Sequence, residues 1–228
     1  IKQGKSKEDI ILFGWAYYIY NQVFDDHNWV SKNLVDFENI PGYKESLAEG
    51  IYGNQLFTLN TNGKYIGPFI EGQLNCLYYN QDLAEQTGIE IDQFDLTIED
   101  FYTYMNALEQ YNQKTGSKIN FILIERIEFF NFLFATALNY KPGIKPAYTL
   151  SQKQEALMTA LNTLQKLGSA NFSHSTNALD FLDSDKYLFT DGATWSYNKF
   201  IAHDSLKASR IVPVEFPSIN TPCLYSGS

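Results

Sequence analysis

Cysteine is scarce: the chain of 228 residues has two, Cys76 and Cys223, too few for a disulfide framework. Cys76 lies inside an apolar run and reads as a small buried hydrophobe. Basic residues are also short, 17 Lys and Arg against 26 Asp and Glu, for a net charge of −9. A surface of that sign gives no footing for nucleic acid, whose phosphates need a basic partner. No apolar run approaches the ~18 residues that a bilayer span requires. The chain starts at Ile1 without a leader, which is not a natural start and decides nothing about export. The sequence also lacks G-x-S-x-G, H-E-x-x-H, a P-loop and a Gly-rich dinucleotide fingerprint. Asp25-Asp26-His27 is one local acidic cluster without distant partners and reads as a solvated loop, while His174 and His203 stand alone among polar residues.

Aromatic residues are abundant instead: 16 Tyr, 17 Phe and 3 Trp. They serve either as large core side chains or as platforms for a ligand with apolar faces, such as a sugar ring. The strand-like stretch 9–13 stops at Gly14, ahead of an aromatic segment. Asn60-Thr-Asn-Gly63 separates strand-like runs at 55–59 and 64–66 and predicts a hairpin. Phe101, Met105, Leu108 and Tyr111 follow Thr97 at helical spacing, and Gly116 ends the pattern. Residues 120–124 read as a buried strand and 128–139 as a buried helix. Ser151-Gln-Lys-Gln154 fits a capping box, with Leu157, Leu161, Leu164 and Leu167 on one face and Gly168 after it. A helix is expected at 178–187, a Thr190-Asp-Gly192 turn, then a strand at 193–197. On such a strand Trp195 and Tyr197, two apart, would face one side. Residues 210–214 read as a last strand, held to an edge by Pro213. Strands alternating with helices predict an α/β protein with largely parallel sheets.

Five blocks, in order, resemble the extracellular solute-binding proteins of bacterial ABC importers, the sugar- and maltodextrin-binding group. Lys5-Ser-Lys-Glu-Asp9-Ile-Ile is similar to the group's first-lobe strand, with Glu8 where Pro is usual. Residues 65–80, from Tyr65-Ile-Gly-Pro68 to Tyr78-Tyr79-Asn80, resemble its "YG-x-P" and "YYN" crossing. Leu96-Thr97-Ile-Glu-Asp-Phe101 resembles "TW-x-E-F", with Ile98 in place of Trp. Residues 121–140 resemble the strand, ligand loop and buried helix that open the second lobe's binding wall. Tyr187-Leu-Phe-Thr-Asp-Gly192-Ala-Thr-Trp195 resembles "F-x-x-G-k-a-A-M", and 211–217 the strand after it. The "G-x-W" usual after that block is replaced by Lys199-Phe200-Ile201, which leaves Trp195 and Tyr197 as alternative platforms.

The resemblance implies a periplasmic-binding-protein-like α/β fold of two lobes joined by a hinge, the first lobe incomplete and the chain cut at both ends. It places a partial first lobe at 1–76, the hinge crossing at 77–80, the second lobe at 81–214 and the start of a return crossing at 215–228. It implies a binding protein that closes on a small-molecule solute, a carbohydrate first, and delivers it to an ABC permease. The protein would be a monomer outside the cytoplasm, periplasmic or lipid-anchored, with no cofactor, metal or catalytic residue. Expected ligand contacts are Phe13, Trp15, Tyr17 and Tyr18 in the first lobe and Glu71 and Gln73 after the Pro68 turn. Glu125, Arg126 and Glu128 are expected in the second-lobe loop, where a mutual ion pair is the other reading of Arg126. Trp195 should face Trp15 across an open cleft. Other readings are a binding protein for a peptide or other polar solute, and an enzyme acting on glycosides.

Overall fold

The computed structural model describes residues 35–42, 60–61, 64–65, 75–124, 128–139, 148–168, 171–175, 177 and 179–220. The chain divides into two compact units, 1–72 with 227–228, and 73–226.

In the first unit, the short 3-10 turn Phe37–Asn39 precedes Pro41 and Gly42, the latter at φ 81°. Strands β1 (Asn60–Thr61) and β2 (Lys64–Tyr65) pair antiparallel, Asn60 opposite Tyr65 and Thr61 opposite Lys64. A hairpin is therefore present, but Asn60 and Thr61, expected in its turn, pair as strand, and Asn62 and Gly63 lie outside the described residues. The expected strands at 9–13 and 55–59 lie outside the described residues.

The second unit is built on a five-stranded sheet. Its strands are β3 (Asn75–Asn80), β4 (Asn120–Ile124), β5 (Phe172–His174), β6 (Tyr187–Ala193) and β7 (Ile211–Val214), in spatial order β5-β4-β6-β3-β7. β4 runs parallel to β5 and β6, while β3 runs antiparallel to β6 and β7. The sheet is mixed, which corrects the expectation of largely parallel pairing. β7 is an edge strand, as Pro213 requires, and Pro213 is exposed opposite Tyr78. Residues 77–80 lie within β3, an interior strand of this sheet.

Helix ends follow local chemistry. In α1 (Gln81–Thr87) the Asn80 side chain accepts from the Leu83 N–H, and Gly88 closes the helix at φ 70°. α2 (Ile98–Thr115) begins with a reciprocal box between Thr97 and Asp100 and ends at Gly116, φ 74°. α3 (Glu128–Ala137) buries Phe129, Phe132 and Leu133. α4 (Leu150–Leu167) is capped by Thr149 and Gln152, two residues ahead of the expected box. Its buried face is Ala156, Ala160, Thr163 and Leu167, while Leu157 and Leu161 are exposed. The expected leucine stripe is thus split by the helix's true rotation. α5 (Leu179–Ser184), α6 (Thr194–His203) and α7 (Ser205–Ala208) complete the unit.

The sheet separates two clusters because side chains alternate along each strand. Leu77 and Tyr79 point into the larger one, with Phe101, Phe121, Phe129, Phe132, Phe189 and Phe216. Phe101 meets Phe121 edge-on at 4.9 Å between ring centroids, and Phe132 stacks on Phe216 at 4.5 Å. Most of the described phenylalanines are therefore core, the first of the two uses that the composition allowed. Tyr78 and Leu123 point into the smaller cluster, with Phe181, Leu182, Phe200 and Ile211.

Candidate ligand-binding edge

Strand directions decide where polar groups collect. β4 and β6 are parallel, so Ile124 and Ala193 end at the same edge of the sheet. β5 ends there too, with His174 opposite Ile124. β3 runs the other way, so its first residue, Asn75, sits opposite Ala193 at that edge. The carboxyl edge of such strands is where open α/β sheets bind ligands, because chain leaves the sheet there and frees its polar groups.

Four expected positions lie close in sequence to the strand ends at this edge. Glu125 and Arg126 follow β4 directly in sequence, and Glu128 is the first residue of α3. Trp195 follows β6 by two residues. Phe13, Trp15, Tyr17, Tyr18, Glu71, Gln73, Glu125 and Arg126, and the Glu128 side chain, lie outside the described residues, so only the chain position of the second-unit ones is fixed.

Tyr197 is a correction. The strand expected at 193–197 is the end of β6 followed by α6, so Trp195 and Tyr197 sit on a helix. Two residues on a helix are turned about 200° apart rather than to one side. Tyr197 faces the smaller core and stacks on Tyr78, ring centroids 6.5 Å apart and planes 9° apart. Trp195 is half-buried, and the Lys199 ammonium lies over its ring, 4.3 Å from the centroid. The expected Thr190-Asp-Gly turn is likewise strand. Thr190 donates its hydroxyl to the Leu123 carbonyl at 2.9 Å across the β4–β6 pair, and Asp191 is buried. With β6 placed at Tyr187–Ala193, Gly192-Ala-Thr-Trp195 falls at the end of the strand.

The first turn of α6 is held from the sheet. The Tyr78 hydroxyl donates to the Ala193 carbonyl at 2.8 Å, and the Ala193 N–H donates to Ser196 Oγ at 3.1 Å. Burial pushes the Tyr78 phenol well above its ordinary range, and the neighbouring Cys76 adds to the effect. Burial likewise raises the Cys76 thiol from 9.0 to about 11. Both groups therefore stay neutral across the physiological range.

Asn75 is a feature the sequence does not reveal. It is buried, and neither polar atom of its side chain has a hydrogen-bond partner. Nothing in the local sequence separates it from any other polar residue at the start of a strand. His174, isolated in the sequence, shares this edge. Away from the edge, an open cavity of about 750 Å³ is lined by Leu164, Gln165, Gly168 and Phe172. Among the described residues its lining carries no charged group. Among the described residues no group of three His, Cys, Asp or Glu is placed to hold a metal ion, and no helix is long and apolar enough to cross a membrane.

No protein-family profile matches the chain, and no curated protein sequence aligns with it. Solved structures do. The GacH receptor of Streptomyces glaucescens, known unliganded and with acarbose, is 15% identical over 87% of this chain and 50% of its own, with a TM-score of 0.57. RafE from Streptococcus pneumoniae is 16% identical over 87% of this chain and 52% of its own, TM-score 0.57. A Rhizobium etli sugar transporter protein in an open conformation is 18% identical over 86% and 50%, TM-score 0.56. The chain thus has the periplasmic-binding-protein-like α/β fold of ABC-transporter solute-binding proteins and spans about half the length of these relatives.

Proposed function

We propose that this chain is the solute-binding component of an ABC importer, working outside the cytoplasm and taking an oligosaccharide at the carboxyl edge of its sheet. One observation carries the reading: in a fold shared with proteins solved with acarbose and raffinose, β4 and β6 end at the same sheet edge, with Trp195 two residues past the end of β6. A pyranose has apolar C–H faces and a rim of hydroxyls. An indole ring suits the face, and carboxylates, amides and a guanidinium suit the rim. Trp195 is the platform in this reading, with Glu125, Arg126, Glu128 and Gln73 as candidate rim contacts. Phe13, Trp15, Tyr17, Tyr18 and Glu71 are the contacts assigned to residues 1–72. Tyr197 is not among them, since its ring stacks on Tyr78 against the smaller cluster.

The reading is one of binding without chemistry. A receptor of this kind works by closing on its solute and presenting the closed form to a permease. The solute drives closure only to the extent that it binds the closed form more tightly than the open one. Calorimetry with an oligosaccharide panel that includes raffinose tests the proposal. Trp195→Ala and Trp15→Ala should each weaken binding by about 1–3 kcal/mol, the scale of a lost aromatic contact. Binding that ignores both changes removes the aromatic platforms from the reading. A panel without any binder sinks the carbohydrate assignment and leaves a peptide or other polar solute; a fold neighbour, UgpB of Mycobacterium tuberculosis, is known with glycerophosphocholine.

A further inference from the structure

We infer that Tyr78 and Ser196 are positioning residues for the Trp195 ring, acting through the backbone of Ala193. The inference rests on the reading of Trp195 as a ligand contact. Trp195 is the second residue of α6, so the place where that helix starts decides where its ring stands. Helix starts are usually fixed by a Ser, Thr, Asp or Asn at the N-cap, whose side chain accepts an orphan N–H. Ala193 occupies that place and has no such side chain. Two other residues fix the helix start differently, by bonds to the backbone of Ala193 itself. Ser196 accepts the Ala193 N–H from one turn ahead, and Tyr78 donates to the Ala193 carbonyl from the neighbouring strand. One residue's backbone is thus gripped at both ends. Both side chains are buried, so water does not readily replace either bond.

The grip depends on a gap. A Cβ on Gly192 would lie 3.0 Å from Ser196 Oγ and 3.0 Å from Tyr78 Cε2. Real Cβ atoms have almost no such contacts. Gly192 does not adopt a left-handed backbone, so space, not dihedral freedom, is what glycine supplies here. The missing side chain lets the tyrosine ring and the serine hydroxyl reach Ala193 together. The Tyr78 ring is in turn fixed by α6 itself: Phe200 meets it edge-on at 5.4 Å and Tyr197 stacks on it. Tyr78 therefore holds α6 by its ring and the start of the helix by its hydroxyl. The arrangement sets one ring at the ligand edge in advance, and binding then need not supply the free energy of its ordering.

The test uses the full chain labelled with 5-fluorotryptophan. Its three tryptophans, Trp15, Trp29 and Trp195, give three fluorine signals, assigned by single Trp→Phe changes. Tyr78→Phe removes the hydroxyl and keeps the ring, and Ser196→Ala removes a single oxygen. Each should shift or broaden the Trp195 signal and leave those of Trp15 and Trp29 in place. Each should also weaken raffinose binding about tenfold, with little further loss in a Trp195→Ala background, as coupled residues require. A purely structural role would lower the melting temperature and leave the Trp195 signal unmoved. That result, in variants with a folded circular dichroism spectrum, overturns the inference. If Tyr78→Phe does not fold, Ser196→Ala decides alone. If the unaltered chain binds neither raffinose nor any other oligosaccharide, the carbohydrate reading fails, and the fluorine comparison still decides the positioning.

Discussion

The two faces of the sheet in residues 73–226 are built on different principles. On the larger face, Phe101, Phe121 and Phe189 meet ring to ring, with centroid separations of 4.9 to 5.3 Å and no polar atom among them. On the smaller face, a tyrosine hydroxyl, a serine hydroxyl and a glycine gap are fitted to one another around Ala193. The first face supplies apolar burial, which is non-directional and large. The second supplies direction, which is worth less in total energy and more in where a helix starts. Stability and ligand geometry should therefore respond to substitution on different faces.

The largest effect is expected on the first face. Phe101 is fully buried and touches Phe121, Phe129 and Phe189. Phe101→Ala should cost about 3–5 kcal/mol, the loss of a buried ring plus the cavity it leaves. Urea unfolding measures it. The fluorine signal of Trp195 should stay where it is in the fraction that remains folded. A moved signal would mean that the two faces are coupled and the contrast between them is false.

A middle-sized effect is expected from pH on the second face. Cys76 stays protonated up to about 11 in the folded chain, against 9.0 when exposed, because burial disfavours the thiolate. Below pH 9 both states hold the proton, and the difference has no effect on stability. As pH rises from about 9 towards 11, the unfolded chain releases a proton that the folded one keeps, so stability falls. The loss should reach about 2 kcal/mol, since each tenfold change in proton affinity is worth ~1.4 kcal/mol and the thiol's burial is incomplete. Tyr78 is raised in the same direction and continues the fall above its ordinary range. Unfolding at pH 8 and pH 11 should show a shallower decline in Cys76→Ser than in the unaltered chain. Equal declines would remove Cys76 as a contributor.

The larger face was also the more legible in sequence. Thr97, Gly88 and Gly116 mark helix ends by local bonding that needs no distant partner. The apolar run 120–124 could hardly be anything but buried. Legibility failed where two local solutions were equally good. Thr149-x-x-Gln152 and Ser151-x-x-Gln154 both satisfy a capping box, and only the helix's place in the unit selects the first. That choice turns α4 so that small Ala156 and Ala160 face inward in place of Leu157 and Leu161. Thr190-Asp-Gly has the composition of a turn, but Thr190 is drawn into the sheet by the Leu123 carbonyl and Gly192 by the need for room beside Tyr78. Both partners are distant in sequence, beyond any local pattern. Strand direction failed for the same reason: β3 and β7 reach the sheet from opposite ends of the unit and pair antiparallel. In the candidate site, the helix that carries Trp195 and Tyr197 was read as a strand, and a strand and a helix N-terminus give opposite sides for residues two apart.

The smallest effect lies at the edge between the faces, at Asn75. Its amide nitrogen and oxygen are both buried and both unpaired. A buried polar group without a partner costs about 1–3 kcal/mol, and replacing it with an apolar group of similar shape removes the cost without opening a cavity. Asn75→Leu should therefore stabilise the chain by about 1 kcal/mol, less than the full penalty because the branched side chain must still be fitted beside Ala193. Asn75→Asp should do the opposite, since it puts a carboxylate in the same unpaired place. Thermal unfolding of the two variants at neutral pH, side by side, gives the signs directly. A leucine variant less stable than the unaltered chain would mean that a bound water satisfies the amide. The same variants sharpen the contrast between the faces through binding. If Asn75→Leu gains stability and loses raffinose affinity, the orphan amide is an element of the ligand edge kept at the expense of the fold. If it gains stability with affinity intact, the edge reads its ligand through Trp195 and the loop after β4, and Asn75 is a cost the chain carries for no ligand.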